Sequence, residues 1–188
     1  MAIKTYVSST TLSASDMNTY SANSGYVYVA SKTFTTTSSA QQIDSCFTST
    51  YDSYRILWTG TGSTTGNDFL YFRFVDGITP VTTAAYYFGI VQSNTGASIS
   101  NSWVGSQTAW KIGVIGDNYG QNQMDLSSPQ AATKKTFTSN FFSSATGDAI
   151  WGINGGLYNA TTQFEGLYMY PGSGSWSGTI TVLGLRKG

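Results

Sequence analysis

Residues 53–77, SYRILWTGTGSTTGNDFLYFRFVDG, constrain the fold of this chain more than any other stretch. Ile56 and Trp58 alternate with Arg55, Leu57 and Thr59, and Leu70, Phe72 and Phe74 alternate with Tyr71, Arg73 and Val75. A period of two puts each set of side chains on one face of a strand. The run GTGSTTGN between the halves is rich in turn formers, so the stretch predicts a β-hairpin with Ile56, Trp58, Leu70, Phe72 and Phe74 in the core. Arg55 and Arg73 fall on the other face. Each is expected to pair with an acid such as Asp52, Asp68 or Asp76, or to lay its stem across the outer sheet surface.

Strand-like segments continue along most of the chain, at 26–36, 41–47, 84–91, 109–115, 121–127, 134–142, 149–153, 162–170 and 179–185. Tyr86, Phe88 and Ile90 share one face, as do Trp110, Ile112 and Val114, the pattern of an antiparallel sheet with one side buried. Roughly eight to ten short strands at a spacing of about 8–12 residues predict an all-β, two-sheet antiparallel β-sandwich. A jelly roll is the best single topology for it. A chain of 188 residues buries one good core, so residues 26–188 are read as one domain. The glycine-rich connections 60–66, 94–105 and 171–178 are read as loops, where binding residues concentrate.

Residues 1–25 read differently, as an N-terminal arm and one short helix. The arm, residues 2–11, carries Ile3, Tyr6 and Val7 among small polar residues and cannot bury enough apolar surface to fold alone. LSASDMNTYSANSG then offers Ser13 or Ser15 as an N-cap, Asp16 in the first turn and Gly25 past the end, with Met17 and Tyr20 three apart on one face. So short a helix is marginal without a surface to dock on. That surface is either its own domain or a neighbouring subunit, and in the second case Ile3, Tyr6, Val7, Met17 and Tyr20 are the assembly residues.

Charge and composition exclude several functions. Nine basic residues balance nine acidic ones, and no Lys/Arg cluster exceeds the pair Lys134–Lys135, so no field steers nucleic acid or an anionic membrane. Charged residues make up 10% of the chain, against about 25% in an average soluble protein. A hydroxyl- and amide-rich surface of this kind suits packing against identical neighbours or a larger particle, and equally an extracellular-type β-protein. No window reaches a membrane span and the N-terminus lacks the apolar core of a signal peptide, so a product made in the cytosol is expected. Cys46 stands alone, which excludes an internal disulfide framework and a cysteine zinc site.

Histidine is absent, which removes Ser-His-Asp and Cys-His machinery, imidazole bases and His-ligated metals. Glu165 is the only glutamate, and Asp76, Asp117, Asp125 and Asp148 sit near strand ends where aspartate serves turns. We expect no enzyme, no catalytic residue and no cofactor. Residues 116–125, GDNYGQNQMD, hold the oxygen donors Asp117, Asn118, Asn122 and Asp125, but not at the spacing of a calcium loop, and are read as a polar turn. Trp103, Trp151 and Trp176, with Tyr119, Tyr158 and Tyr170, fall in or beside loops. Aromatic faces next to amides are what a sugar site needs, while core and subunit interfaces also use them, and the latter weighs more. The sequon at Asn159 has meaning only in a eukaryotic secretory protein.

The order of these features resembles small structural proteins of tailed bacteriophages of aquatic bacteria. TYVSSTTLSASDMNTYSANSGYVYV looks like their opening arm, helix and first strand, with Leu12, Ser13, Asp16, Asn18, Tyr20, Asn23 and Gly25 carrying the likeness. YDSYRILWTG followed by FLYFRFVDG is similar to their core, and SGTITVLGLRKG to their closing strand. The resemblance implies a non-enzymatic virion protein made in the host cytoplasm, of capsid-decoration or tail-associated type. Its implied partners are major capsid or tail proteins and copies of itself. The alternative is a tail- or fibre-associated lectin-like module that binds a host surface glycan through Trp103, Trp151 and Trp176.

Overall fold

The computed structural model describes residues 25–62, 68–95 and 99–186. The expected arm and helix, with Ile3, Tyr6, Val7, Met17 and Tyr20, lie outside the described residues. Thirteen strands are described: β1 (Tyr26–Thr37), β2 (Gln41–Ile43), β3 (Tyr51–Gly62), β4 (Asp68–Asp76), β5 (Thr79–Pro80), β6 (Tyr86–Asn94), β7 (Ile99–Gln107), β8 (Trp110–Ile115), β9 (Tyr119–Ser127), β10 (Lys135–Ala145), β11 (Asp148–Tyr158), β12 (Gly166–Pro171) and β13 (Trp176–Arg186). The fold is all-β. Eight strands form one antiparallel sheet in the order β1-β13-β3-β9-β10-β11-β6-β7. The others form a smaller sheet, β2-β12-β4, with β8 and β5 side by side along the far edge of β4.

The two sheets bury their inner faces against each other, as the alternation in the sequence requires. Tyr54, Ile56 and Trp58 of β3 and Leu70, Phe72 and Phe74 of β4 are all fully buried in one core. Phe74 is its hub: its ring stacks on Phe164 at 4.2 Å and meets Trp110, Tyr158 and Phe72 edge-on at 5.2 to 5.5 Å. Such pairs add about 0.5–1.5 kcal/mol each beyond the area they bury.

The expected hairpin is not one. β3 pairs with β13 and β9, through Ile56↔Val182 and Ile56↔Met124, whereas β4 pairs with β12 through Phe72↔Met169. The two strands sit in different sheets and face each other across the core. A period of two says which face is buried but not which strand lies alongside, so a hairpin and a crossover between sheets carry the same signature. Residues 99–105, expected within a loop, belong to strand β7. Hardly any of it is buried, so it never needed an apolar alternation.

The small sheet ends against the large one at β8, and polar side chains settle that junction. Ladder register slips between Leu70↔Gly113 and Tyr71↔Lys111, leaving Ile112 bulged and its carbonyl free of the ladder. Asn122 and Ser139 of the large sheet both donate to the Ile112 carbonyl, and Asn154 donates to that of Lys111 at 2.7 Å. Gly113 is required there, since a Cβ would lie 2.8 Å from the Asn122 amide nitrogen and 3.0 Å from the Phe141 Cβ.

Cys46 is buried and donates to the Ile43 carbonyl at 3.4 Å. Burial pushes its thiol up from 9.0 to about 12, and burial likewise raises the Tyr86 and Tyr54 phenols. A group kept neutral by the fold stabilises it fully below its unfolded pKa. That share is lost as pH rises, because the unfolded chain ionises first. Urea midpoints are therefore expected to hold steady up to about pH 9 and then fall toward pH 12, with a shallower fall in Cys46→Ala. Identical slopes in the two proteins would show that the thiol is not shielded.

Candidate interaction surface

The outer face of the large sheet is set by strict alternation. In β10, Phe137, Ser139, Phe141 and Ser143 are buried while Thr136, Thr138, Asn140 and Phe142 are exposed. Neighbouring strands obey the same rule, so register lines their outward side chains into rows. One row runs Ile99, Ser93, Trp151, Phe142, Gln121, Thr59 from β7 to β3. The next runs Asn101, Val91, Ile153, Asn140, Gln123, Leu57. The third runs Trp103, Gly89, Gly155, Thr138, Asp125, Arg55.

Among the described residues, these rows gather six of the eleven large exposed apolar side chains. Ile99 is 75% exposed, Trp103 71%, Trp151 59% and Ile153 56%, with Val91 and Phe142 also open to solvent. The Trp103 indole lies over Gly89, where a Cβ would come within 3.3 Å of its ring. Beside the patch, Leu57, Thr59, Gln121, Gln123, Asn140 and Phe142 line a shallow groove of about 280 Å³. Gln121 accepts a hydrogen bond from the Tyr119 hydroxyl at 3.2 Å.

Neither of the first two rows contains a charged side chain. The third ends in an ion pair: Arg55 donates to Asp125 through Nε at 2.7 Å and Nη2 at 3.0 Å, and its guanidinium lies 4.5 Å from the Tyr26 ring centre. With both side chains about one-third exposed, such a pair is worth at most about 1 kcal/mol. Arg55 thus pairs with Asp125 on the adjacent strand, not with Asp52, Asp68 or Asp76. Arg73 donates to the carbonyl and hydroxyl of Thr108 and lies 4.8 Å from the Tyr170 ring. Both guanidiniums stay on the outer surface, and their partners come from neighbours in space that the sequence does not reveal.

Of the three tryptophans assigned to a glycan site under the alternative reading, the structure places Trp103 and Trp151 on this face and removes Trp176 from it. Trp176 is fully buried, donates its indole N–H to the Ser39 carbonyl at 3.0 Å and packs on Phe34 and Trp58. It opens β13 on the inward side, and the glycines that made its surroundings look like a loop lie at the strand's margin. The oxygen donors of residues 116–125 diverge. Asp117 accepts from the N–H and hydroxyl of Thr146, which hold its carboxyl below the usual range. Asn122 points inward and Asp125 holds Arg55. Among the described residues, no three His, Cys, Asp or Glu side chains converge on a point that could hold a metal.

Val91, Ile153, Ile99 and Phe142 were not singled out from sequence. Their signal is an inverted strand: in 151–155, WGING, the apolar residues alternate with Gly152 and Asn154, which point inward. No family model, curated protein or solved structure matches the chain.

The two kinds of tryptophan should separate in stability. Trp103→Ser and Trp151→Ser, at exposed sites, are expected to shift unfolding free energy by no more than about 0.5 kcal/mol, while Trp176→Ala should lose about 3–5 kcal/mol. Equal losses in urea titrations would mean that the patch belongs to the core.

Proposed function

We propose that this chain is a non-enzymatic structural protein of a bacteriophage particle, a capsid-decoration or head-associated component that assembles with copies of itself. One observation carries the reading: a sheet face that exposes Ile99, Trp103, Trp151, Ile153, Val91 and Phe142 together, and in whose three rows the charges are the mutually paired Arg55 and Asp125. Association loses roughly 4–15 kcal/mol of translational and rotational freedom. Full burial of one such side chain returns only about 1.5–3 kcal/mol, so a stable contact must cover several at once. A grouped patch meets that requirement and scattered residues do not.

Topology supports the same reading. The strands β1-β13-β3-β9 in one sheet and β2-β12-β4-β8 in the other follow the order of a jelly roll, and the hairpins β6–β7 and β10–β11 widen the first sheet. Jelly rolls occur in viral capsids and in lectins, an analogy of fold only. The resemblance of the sequence to tailed-phage structural proteins supplies the particle. Protein mass spectrometry of purified particles should find the chain in many copies per particle. Particles that lack it would overturn the proposal.

The groove favours a second reading, a tail- or fibre-associated module for a neutral host glycan. Gln121, Gln123 and Asn140 offer amide donors and acceptors beside the apolar walls of Phe142 and Leu57, without any charge to select an acidic sugar. This reading expects saturable binding on a glycan array, abolished by Asn140→Ala in a protein that keeps its circular dichroism spectrum. Binding that survives the substitution would place the sugar elsewhere.

A further inference from the structure

We propose that β7 is the edge through which two copies of this chain pair, antiparallel about a two-fold axis, so that their large sheets continue as one. The inference deepens the assembly reading above and rests on it.

An edge strand presents a row of unpaired N–H and C=O groups, and folded proteins blunt such rows with charge, bulges, brevity or a cover. Every other described edge of this molecule is blunted in one of these ways. β1 carries the exposed Lys32, and its ladder with β13 slips twice, between Tyr28 and Ala30 and between Phe34 and Thr37. β2 has three residues and β5 two. β8 has its free carbonyls taken by Asn122, Ser139 and Asn154.

Among the described residues, β7 has none of these protections over most of its length. ISNSWVGSQ contains no Lys, Arg, Asp, Glu or Pro. Its register with β6 runs unbroken from Ile99 to Val104, and the one slip lies beyond, next to Ser106 with its φ of 53°. Six consecutive residues therefore form a flat, neutral edge. Residues 99–103 are exposed throughout, so β6 alone holds this part of the strand. A second strand on its free side would supply the missing partner.

The chemistry of the edge selects a copy of itself. A two-fold pairing sets each residue of the stretch against the same stretch, and with no charge present it brings no like charges together. With the axis at Asn101 it also sets Ile99 against the partner's Trp103, and joins the two apolar patches into one band, in which Val91 and Ile153 continue from the edge. A strongly charged partner would find nothing here to complement it.

The test uses the full chain and light scattering coupled to size exclusion. Asn101→Lys and Trp103→Lys each put a charge on the free edge of both copies and so guard it as natural edge lysines do. Both should halve the mass relative to the wild type at equal concentration while circular dichroism stays unchanged. Ser31→Lys on the already protected β1 should leave the mass as it was. A wild type that is monomeric at every concentration overturns the inference. So does an assembly whose mass both β7 variants preserve, though that result leaves the assembly reading standing and moves its contact elsewhere. Absence of the chain from particles is the separate result that defeats the reading itself.

Discussion

The constraint on which this structure depends is that backbone polar groups removed from water must find partners. A sandwich of unequal sheets meets it with difficulty, because the smaller sheet ends over the interior of the larger. Here that end is β8, whose bulge at Ile112 frees a carbonyl inside the protein. Asn122, Ser139 and Asn154 rise from three adjacent strands of the large sheet to receive it and the Lys111 carbonyl. Each otherwise unpaired buried group would cost about 1–3 kcal/mol, so these polar residues fix where the two sheets meet as firmly as the aromatic core does.

The same constraint connects fold to function. The eight-stranded sheet extends past the five-stranded one, and β7 lies at its margin with neither face buried along residues 99–103. The inner residues of β11 turn to glycine and asparagine, while its outer residues turn apolar at Trp151 and Ile153. Along β11 the solvent side is thus the more apolar one, and its inward space is filled by Ile90 and Phe141 of the neighbouring strands. Such an inversion is poor design for a solitary domain and sound design for one component of an assembly.

Much of this was legible in the sequence, and the failures share one cause. Period-two alternation located the core faces of β3, β4 and β6 correctly, because burial of one face is a local property of a strand, whereas in β8 the bulge at Ile112 breaks the alternation and Ile112 to Ile115 are all buried. Pairing is not local: the connection from Trp58 to Leu70 looked like a hairpin and crosses between sheets. Arg55 was rightly read as facing outward, yet its acid, Asp125, comes from a strand 70 residues away in the chain. Trp103, Trp151 and Trp176 share a glycine-rich context and were read alike, yet Trp103 and Trp151 stand on the outer face of strands while Trp176 fills the core. β7 stayed hidden because an edge strand beyond the core needs no pattern at all.

The central claim is that β7 is an edge awaiting a copy of itself, and residue-resolved amide hydrogen exchange tests it most directly. Pairing predicts that the amides between Ile99 and Val104 that point away from β6 exchange slowly in concentrated protein and quickly on dilution, while those of β1 exchange at the same rate in both. Rapid exchange along β7 at every concentration, as from an edge that water always reaches, would contradict it.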